Sequence, residues 1–206
     1  MTSSPLAAAV PPLVEEARAA ARRIGFPLTR EDPGHGRGSA SLPGTGRFLA
    51  MLAAGCHGGQ IAELGTGVGL GTAWMASAMP ADCALVTVEI DPVRAAAAAE
   101  VLAGDIRVQV VTGDWAAVLP PLAPFDLIFA DAGVRDAAQL TALVGMLRPG
   151  GRIVMDDLTP VAALPADSPP READPKRDFF AGERELVWTE IVLPDLANSL
   201  LAGTRR

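Results

Sequence analysis

Residues 61–72 read IAELGTGVGLGT. An apolar run ends at Glu63 and Leu64, and glycines then fall at alternate positions, Gly65, Gly67, Gly69 and Gly71. Glycine tolerates positive φ and lets backbone approach a ligand closely, so a bare loop directly after a strand marks a ligand site. Its spacing separates the usual nucleotide loops. A dinucleotide fingerprint, G-x-G-x-x-G, counted from Gly65 needs glycine where Leu70 stands, and counted from Gly67 needs it where Thr72 stands. A phosphate-binding P-loop must end in Gly-Lys-Ser/Thr, and the stretch contains no lysine.

Outward from this loop the chain alternates. QIAEL, ALVTVEI, IRVQVVT, FDLIFAD and GGRIVMDD read as strands. Between them GTAWMASAM, DPVRAAAAAEVLA, WAAVLPPL and AAQLTALVGML read as helices, with Asp91 as an N-cap and Pro92 at the first helical position. FDLIFAD is apolar nearly throughout, as a strand buried on both faces should be. The alternation predicts an α/β, Rossmann-like, doubly wound sheet with helices on both faces. Upstream, Leu13–Ile24 reads as an amphipathic helix and RFLAMLAAG as a short one, so residues 1–55 form a helical cap segment. Downstream, the rhythm breaks after Asp157 in a proline-rich stretch, a surface connection or a lid over residues 158–180. ELVWTEIVL and NSLLAGTRR read as a closing hairpin. No internal repeat or second domain is visible, so residues 1–206 are expected to form one domain.

Composition narrows the partners. The net charge is −7 with no basic block, which argues against a nucleic-acid backbone as the main partner. No apolar run reaches membrane-spanning length, and the N-terminus lacks a signal-peptide pattern, so cytoplasm is the expected location. Cys56 and Cys83 have neither metal-site nor disulfide-framework spacing. Lys176 is the only lysine in the chain.

Four strand ends supply the ligand side chains. In doubly wound sheets, ligands bind beyond the carboxyl ends of the strands. Glu89 ends the second strand, where an acid accepts two ribose hydroxyls. Asp114 and Trp115 follow the third, in TGDWAAV. Asp131 follows the fourth, and Asp156 and Asp157 end the fifth. Dehydrogenases also use the acid at Glu89, so that residue alone leaves a nicotinamide-dependent oxidoreductase open.

The run E-L-G-T-G-x-G resembles the first motif of class I S-adenosylmethionine (SAM) methyltransferases. With VTVEID, TGDW, FADAG and VMDDL, the chain from Ser41 to Asp157 looks like the O-methyltransferases that include the catechol and caffeoyl-CoA enzymes and their small bacterial relatives. That resemblance implies a seven-stranded sheet with the last strand antiparallel, SAM as cosubstrate and a small hydroxylated methyl acceptor. It places the cosubstrate across Ser41, Gly46, Glu63, Gly65, Thr66, Gly67, Gly69, Glu89, Ile90, Gly113, Asp114, Trp115 and Asp131. Glu63 is expected to accept polar donors or balance positive charge at the methionine end, and Asp114 to face the adenine amino group. Asp131, Asp156 and Asp157 are hard oxygen donors suited to Mg²⁺ or another divalent cation, and the family's homodimer is expected by analogy. One departure stands out. The metal-dependent relatives carry a lysine base where this chain has Val134, and the neighbouring Arg135 stays protonated, so it would stabilise an oxyanion rather than take a proton. A SAM-binding protein without catalysis is the other alternative.

Overall fold

A computed structural model describes residues 9–29, 31–33, 40–134, 136–160, 175–193 and 198–206, together with the backbone but not the side chain of Asp157. The N-terminal layer comprises helices α1 (Pro12–Ile24) and α2 (Pro43–Ala54). There follow β1 (Gln60–Leu64), α3 (Leu70–Ala76), β2 (Ala84–Glu89), α4 (Pro92–Leu102), β3 (Val108–Thr112) and α5 (Trp115–Val118). The chain continues through β4 (Phe125–Ala130), α6 (Ala137–Gly145) and β5 (Leu147–Leu158), then α7 (Pro175–Gly182), β6 (Leu186–Leu193) and β7 (Asn198–Arg205).

The strands form a seven-stranded sheet in the order β3-β2-β1-β4-β5-β7-β6. The first five are parallel, and β7 runs antiparallel to both β5 and β6. The order reverses between β1 and β4, so the loops after these two strands open a crevice at the carboxyl edge.

Strand parity divides the core. Ala62, Leu64, Val86, Val88, Ile128 and Ala130 face one side, packing with Leu119, Leu140 and Phe180 from the α5, α6 and α7 layer. Ile61, Leu85, Leu127, Phe129 and Val154 face the other, against Leu49 and Ala53 of α2 and Met75 of α3. An outer cluster seats α1 on α3 and α4 through Val14, Ala17, Ala21, Ala73 and Ala97. Both faces of β1 and β4 are covered, which is why their sequences are apolar without alternation.

Two elements differ from the sequence reading. Helix α2 begins at Pro43, four residues before RFLAMLAAG, because proline fits the first turn of a helix. Helix α7 was not foreseen. It emerges from the proline-rich stretch and is anchored by Phe180, which packs edge-on against Trp188 with ring centroids 5.8 Å apart. The proposed lid, residues 158–180, falls largely outside the described residues. No helix among the described residues is long and apolar enough to cross a membrane.

Candidate active site

The glycine loop is held by backbone bonds before any side chain enters. The Gly65 and Thr66 amides donate to the Val88 carbonyl, and the Gly69 amide donates to that of Thr66. Gly65 has φ +87°, and a Cβ there would lie 2.8 Å from the Asp131 carbonyl oxygen, so neither the conformation nor the space admits a side chain.

Glu89 fixes the loop to the end of β2. Its Oε2 accepts from the Gly67 amide at 2.8 Å and its Oε1 from the Asp91 amide at 3.0 Å. Two cavities meet at Gly65 and Glu89. The larger, about 280 Å³, is bounded by Ile90, Gly113, Asp114, Trp115 and Gln139. The narrower, about 50 Å³, is bounded by Phe26, Ser41, Thr66, Gly67, Arg94 and Asp131. Asp114 caps α5 by accepting from the Ala116 amide at 3.0 Å and is exposed to the larger cavity, while Trp115 lies half-buried along its wall. Asp131 leaves β4 beside the loop, and its Oδ2 lies 3.4 Å from the Ser41 hydroxyl, which donates to it.

Three expected site residues sit elsewhere or do something else. Glu63 shares the strand face of Ile61, so its carboxyl points into the α2–α3 layer beneath the loop and lines neither cavity. It is 1 % exposed, accepts from the Thr72 hydroxyl, and accepts from the Thr87 hydroxyl at 2.6 Å. Burial pushes its pKa up to about 7 against the lowering effect of these hydroxyls. Its expected contact with the methionine end is therefore corrected to a buried brace joining β1, β2 and α3. Gly46 is also corrected. A Cβ there would lie 2.2 Å from the Trp74 ring, so this glycine admits the indole between α2 and α3 and lines neither cavity. Gly69 serves as the N-cap of α3 with φ +87°, at the back of the loop.

The register of β4 and β5 pairs Ala130 with Met155, so Asp131, just past β4, lies beside Asp156, two residues before the end of β5. The Asn198 amide donates to Asp156 Oδ1 at 2.7 Å. Hard carboxylate oxygens at this place fit a divalent cation by donor type. The third expected donor is the Asp157 side chain, which lies outside the described residues, and no group of three metal-binding side chains is present among those described. Arg135 also lies outside them. Val134 is 8 % exposed and packs in the core with Leu140 and Leu143, so position 134 does not face the site. The Lys176 ammonium, carried by α7, instead donates to the Asp156 carbonyl at 3.0 Å.

Sequence reading missed Phe26, Arg94 and Gln139 as cavity walls. Phe26 is joined to the loop only through the fold. Arg94 carried a signal, since it is a cation in the first turn of a helix just after the ribose-type acid.

The glycine loop thus opens onto two linked cavities, one beside an acid and an indole and one lined by backbone and carboxylates. Residues 62–158 match the family described as a methyltransferase domain. That stretch resembles a methyltransferase domain and covers just under half of the chain. Among solved structures, the chain resembles the O-methyltransferase TomG from Streptomyces achromogenes, in complex with SAM. The TM-score is 0.74 and the identity 27 %, over 97 % of this chain and 92 % of that one. It is similarly close to cofactor-bound Rv0187 from MTB, with a TM-score of 0.75 and 28 % identity over 98 % and 93 % of the two chains. Among curated relatives, a catechol O-methyltransferase of Niastella koreensis is 39 % identical over 125 residues, 56 % of this chain and 57 % of that protein. The match thus spans little more than half the length of that relative.

Proposed function

We propose that the chain is a SAM-dependent O-methyltransferase acting on a small hydroxylated acceptor. The observation that carries this reading is the pair of cavities meeting at Glu89. Adenine would lie against Trp115 with its amino group towards Asp114, the ribose hydroxyls on Glu89, and the amino-acid end over Gly65 and Gly67 beside Ser41 and Asp131. That division suits an adenosine joined to a zwitterion. It does not suit a dinucleotide, whose pyrophosphate needs the other glycine spacing. Ile90, Thr66 and Gly113 complete the walls.

The acceptor would sit over Asp131 and the end of β5. Its hydroxyl oxygen forms the new bond to the methyl carbon as the carbon–sulfur bond breaks, and the sulfonium becomes a neutral thioether. The hydroxyl proton passes to solvent water, as no side chain at position 134 can take it. Alignment of the two reactants in a closed site supplies much of such a rate. With position 134 buried and apolar, Lys176, which donates to the Asp156 carbonyl, would hold an acceptor oxyanion near Asp156. Asp131, Asp156 and Asp157 would hold a divalent cation, which when bound would favour ionisation of the acceptor hydroxyl. A catechol-like diol, two-oxygen and small, is the acceptor class suggested by the Niastella relative's name. A homodimer and a cytoplasmic location belong to the same proposal.

The test is calorimetric titration with S-adenosylhomocysteine (SAH) and, separately, with NADH. Micromolar binding of SAH without NADH is expected. Binding of NADH alone overturns the reading. If SAH binds, transfer of radiolabelled methyl from SAM to catechol then separates an enzyme from a non-catalytic binder.

A further inference from the structure

Arg94 stands at an unfavourable place for an arginine. It is the third residue of α4, at the positive end of the helix dipole, and no acid occupies that first turn. Its Nε forms an ion pair with Asp91 Oδ2 at 3.7 Å, one residue before the helix. That pair alone does not fix where the guanidinium lies.

Its surroundings do. The guanidinium stacks on Phe26, 5.0 Å from the ring centroid. Phe26 in turn lies over the glycine loop, since a Cβ on Gly67 would come 3.1 Å from its ring edge. This stack holds Arg94 at the rim of the narrow cavity, where the other charged side chains among the described lining residues are the acids Glu89 and Asp131. A cavity with two acids attracts an ammonium and repels a carboxylate. The amino-acid end of SAM carries both. A guanidinium offers a planar pair of donors matched to a carboxylate, so the cation resolves the mismatch that the acids create.

We infer that Arg94, held by Phe26, pairs with the α-carboxylate of the cosubstrate and makes the chain select ligands with an intact amino-acid end. This inference rests on the SAM reading above. The test compares SAH with 5′-methylthioadenosine, which keeps the adenosine thioether and lacks the amino-acid carbons. Both are titrated calorimetrically into the wild-type chain, Arg94→Ala and Arg94→Lys. In Arg94→Ala, SAH should bind roughly ten- to fiftyfold more weakly, the range for losing a charge-assisted pair. Methylthioadenosine should stay within about twofold of wild type, as expected for a ligand without the missing carboxylate. Arg94→Lys should fall between, keeping the charge and losing the fork. Unchanged SAH affinity in Arg94→Ala overturns the inference, as does an equal loss of both ligands. If Arg94→Ala does not fold, Arg94→Lys decides alone: a ratio of the two affinities unchanged from wild type overturns the inference. Failure of the wild-type chain to bind SAH overturns the SAM reading itself.

Discussion

At the scale of single residues, Glu63 shows how strand parity assigns a role that the motif alone obscures. The run QIAEL is buried on both faces, so its sequence carries no alternation to say which way the acid points. The fold sets Glu63 on the face of Ile61, under the loop, where desolvation raises its pKa from 4.5 to about 7. The folded state therefore holds this proton more tightly than the unfolded chain. The stabilisation is fully present below pH 4.5 and is lost as pH rises towards 7. The full span corresponds to on the order of 3 kcal/mol. Denaturant melts between pH 4.5 and 8 should show this decline, and Glu63→Gln, which keeps a carbonyl acceptor for Thr72 and Thr87, should flatten it. An identical slope in the variant would assign the titration to another group. Gly46 makes the complementary case. Gly46→Ala drives a methyl into the Trp74 ring and should cost about 1–3 kcal/mol, as overpacked core sites do. SAH affinity should stay within about threefold, because the residue lines neither cavity. Lost affinity at unchanged melting temperature would return Gly46 to the cosubstrate.

At the scale of elements, the sequence was most legible where local chemistry and pattern agreed. The five parallel strands, the Asp91 cap of α4 and the closing hairpin all stand where composition placed them. The reason is physical: Asp91 accepts from the Val93 and Arg94 amides, so its short side chain satisfies two donors left orphan at the start of the helix. Helix α7 was illegible because its stability comes from tertiary contacts. It is 8 residues long, too short to persist alone. Arg177 secures it by donating from Nε to Glu190 Oε2 at 2.9 Å, from Nη2 to Glu190 Oε1 at 2.6 Å, and from Nη2 to the Thr159 carbonyl at 2.9 Å. The same pair holds the Glu190 carboxyl below its ordinary range. This bidentate and mostly shielded pair is expected to contribute on the order of 1–2 kcal/mol. Arg177→Ala should therefore accelerate amide exchange in residues 175–182 by about tenfold, with exchange in β1 and β4 unchanged. Uniform acceleration across the sheet would mean that α7 is part of the global folding unit. Because Lys176 is its neighbour on α7, the same variant should also loosen the cation held against the end of β5.

At the scale of the whole molecule, the candidate site is built from segments far apart in the chain. Phe26 and Ser41 come from the N-terminal layer, Glu89 and Trp115 from one side of the sheet's switch point, and Asp131 from the other. The strand-end acids were legible because a parallel sheet gathers its carboxyl ends at one edge. The N-terminal wall was not, since nothing local in the sequence says that Phe26 folds over Gly67. A ligand that spans these parts binds only when all of them are assembled, so it should stabilise the whole fold by mass action. At a free SAH concentration one hundred times Kd the gain is about 2.7 kcal/mol, and for a chain of this size each kcal/mol raises the melting temperature by about 2–4 °C. Thermal melts should therefore shift upward by roughly 5–11 °C at that concentration. The shift should keep growing with the logarithm of ligand concentration. Asp131→Ala removes one wall of the narrow cavity without touching the core, so it should lower the shift at a fixed SAH concentration while leaving the unliganded melting temperature within a few degrees. A melting temperature that does not respond to SAH would remove the cosubstrate from the crevice. A full shift in Asp131→Ala would leave the crevice intact and move the amino-acid end of the ligand away from β4.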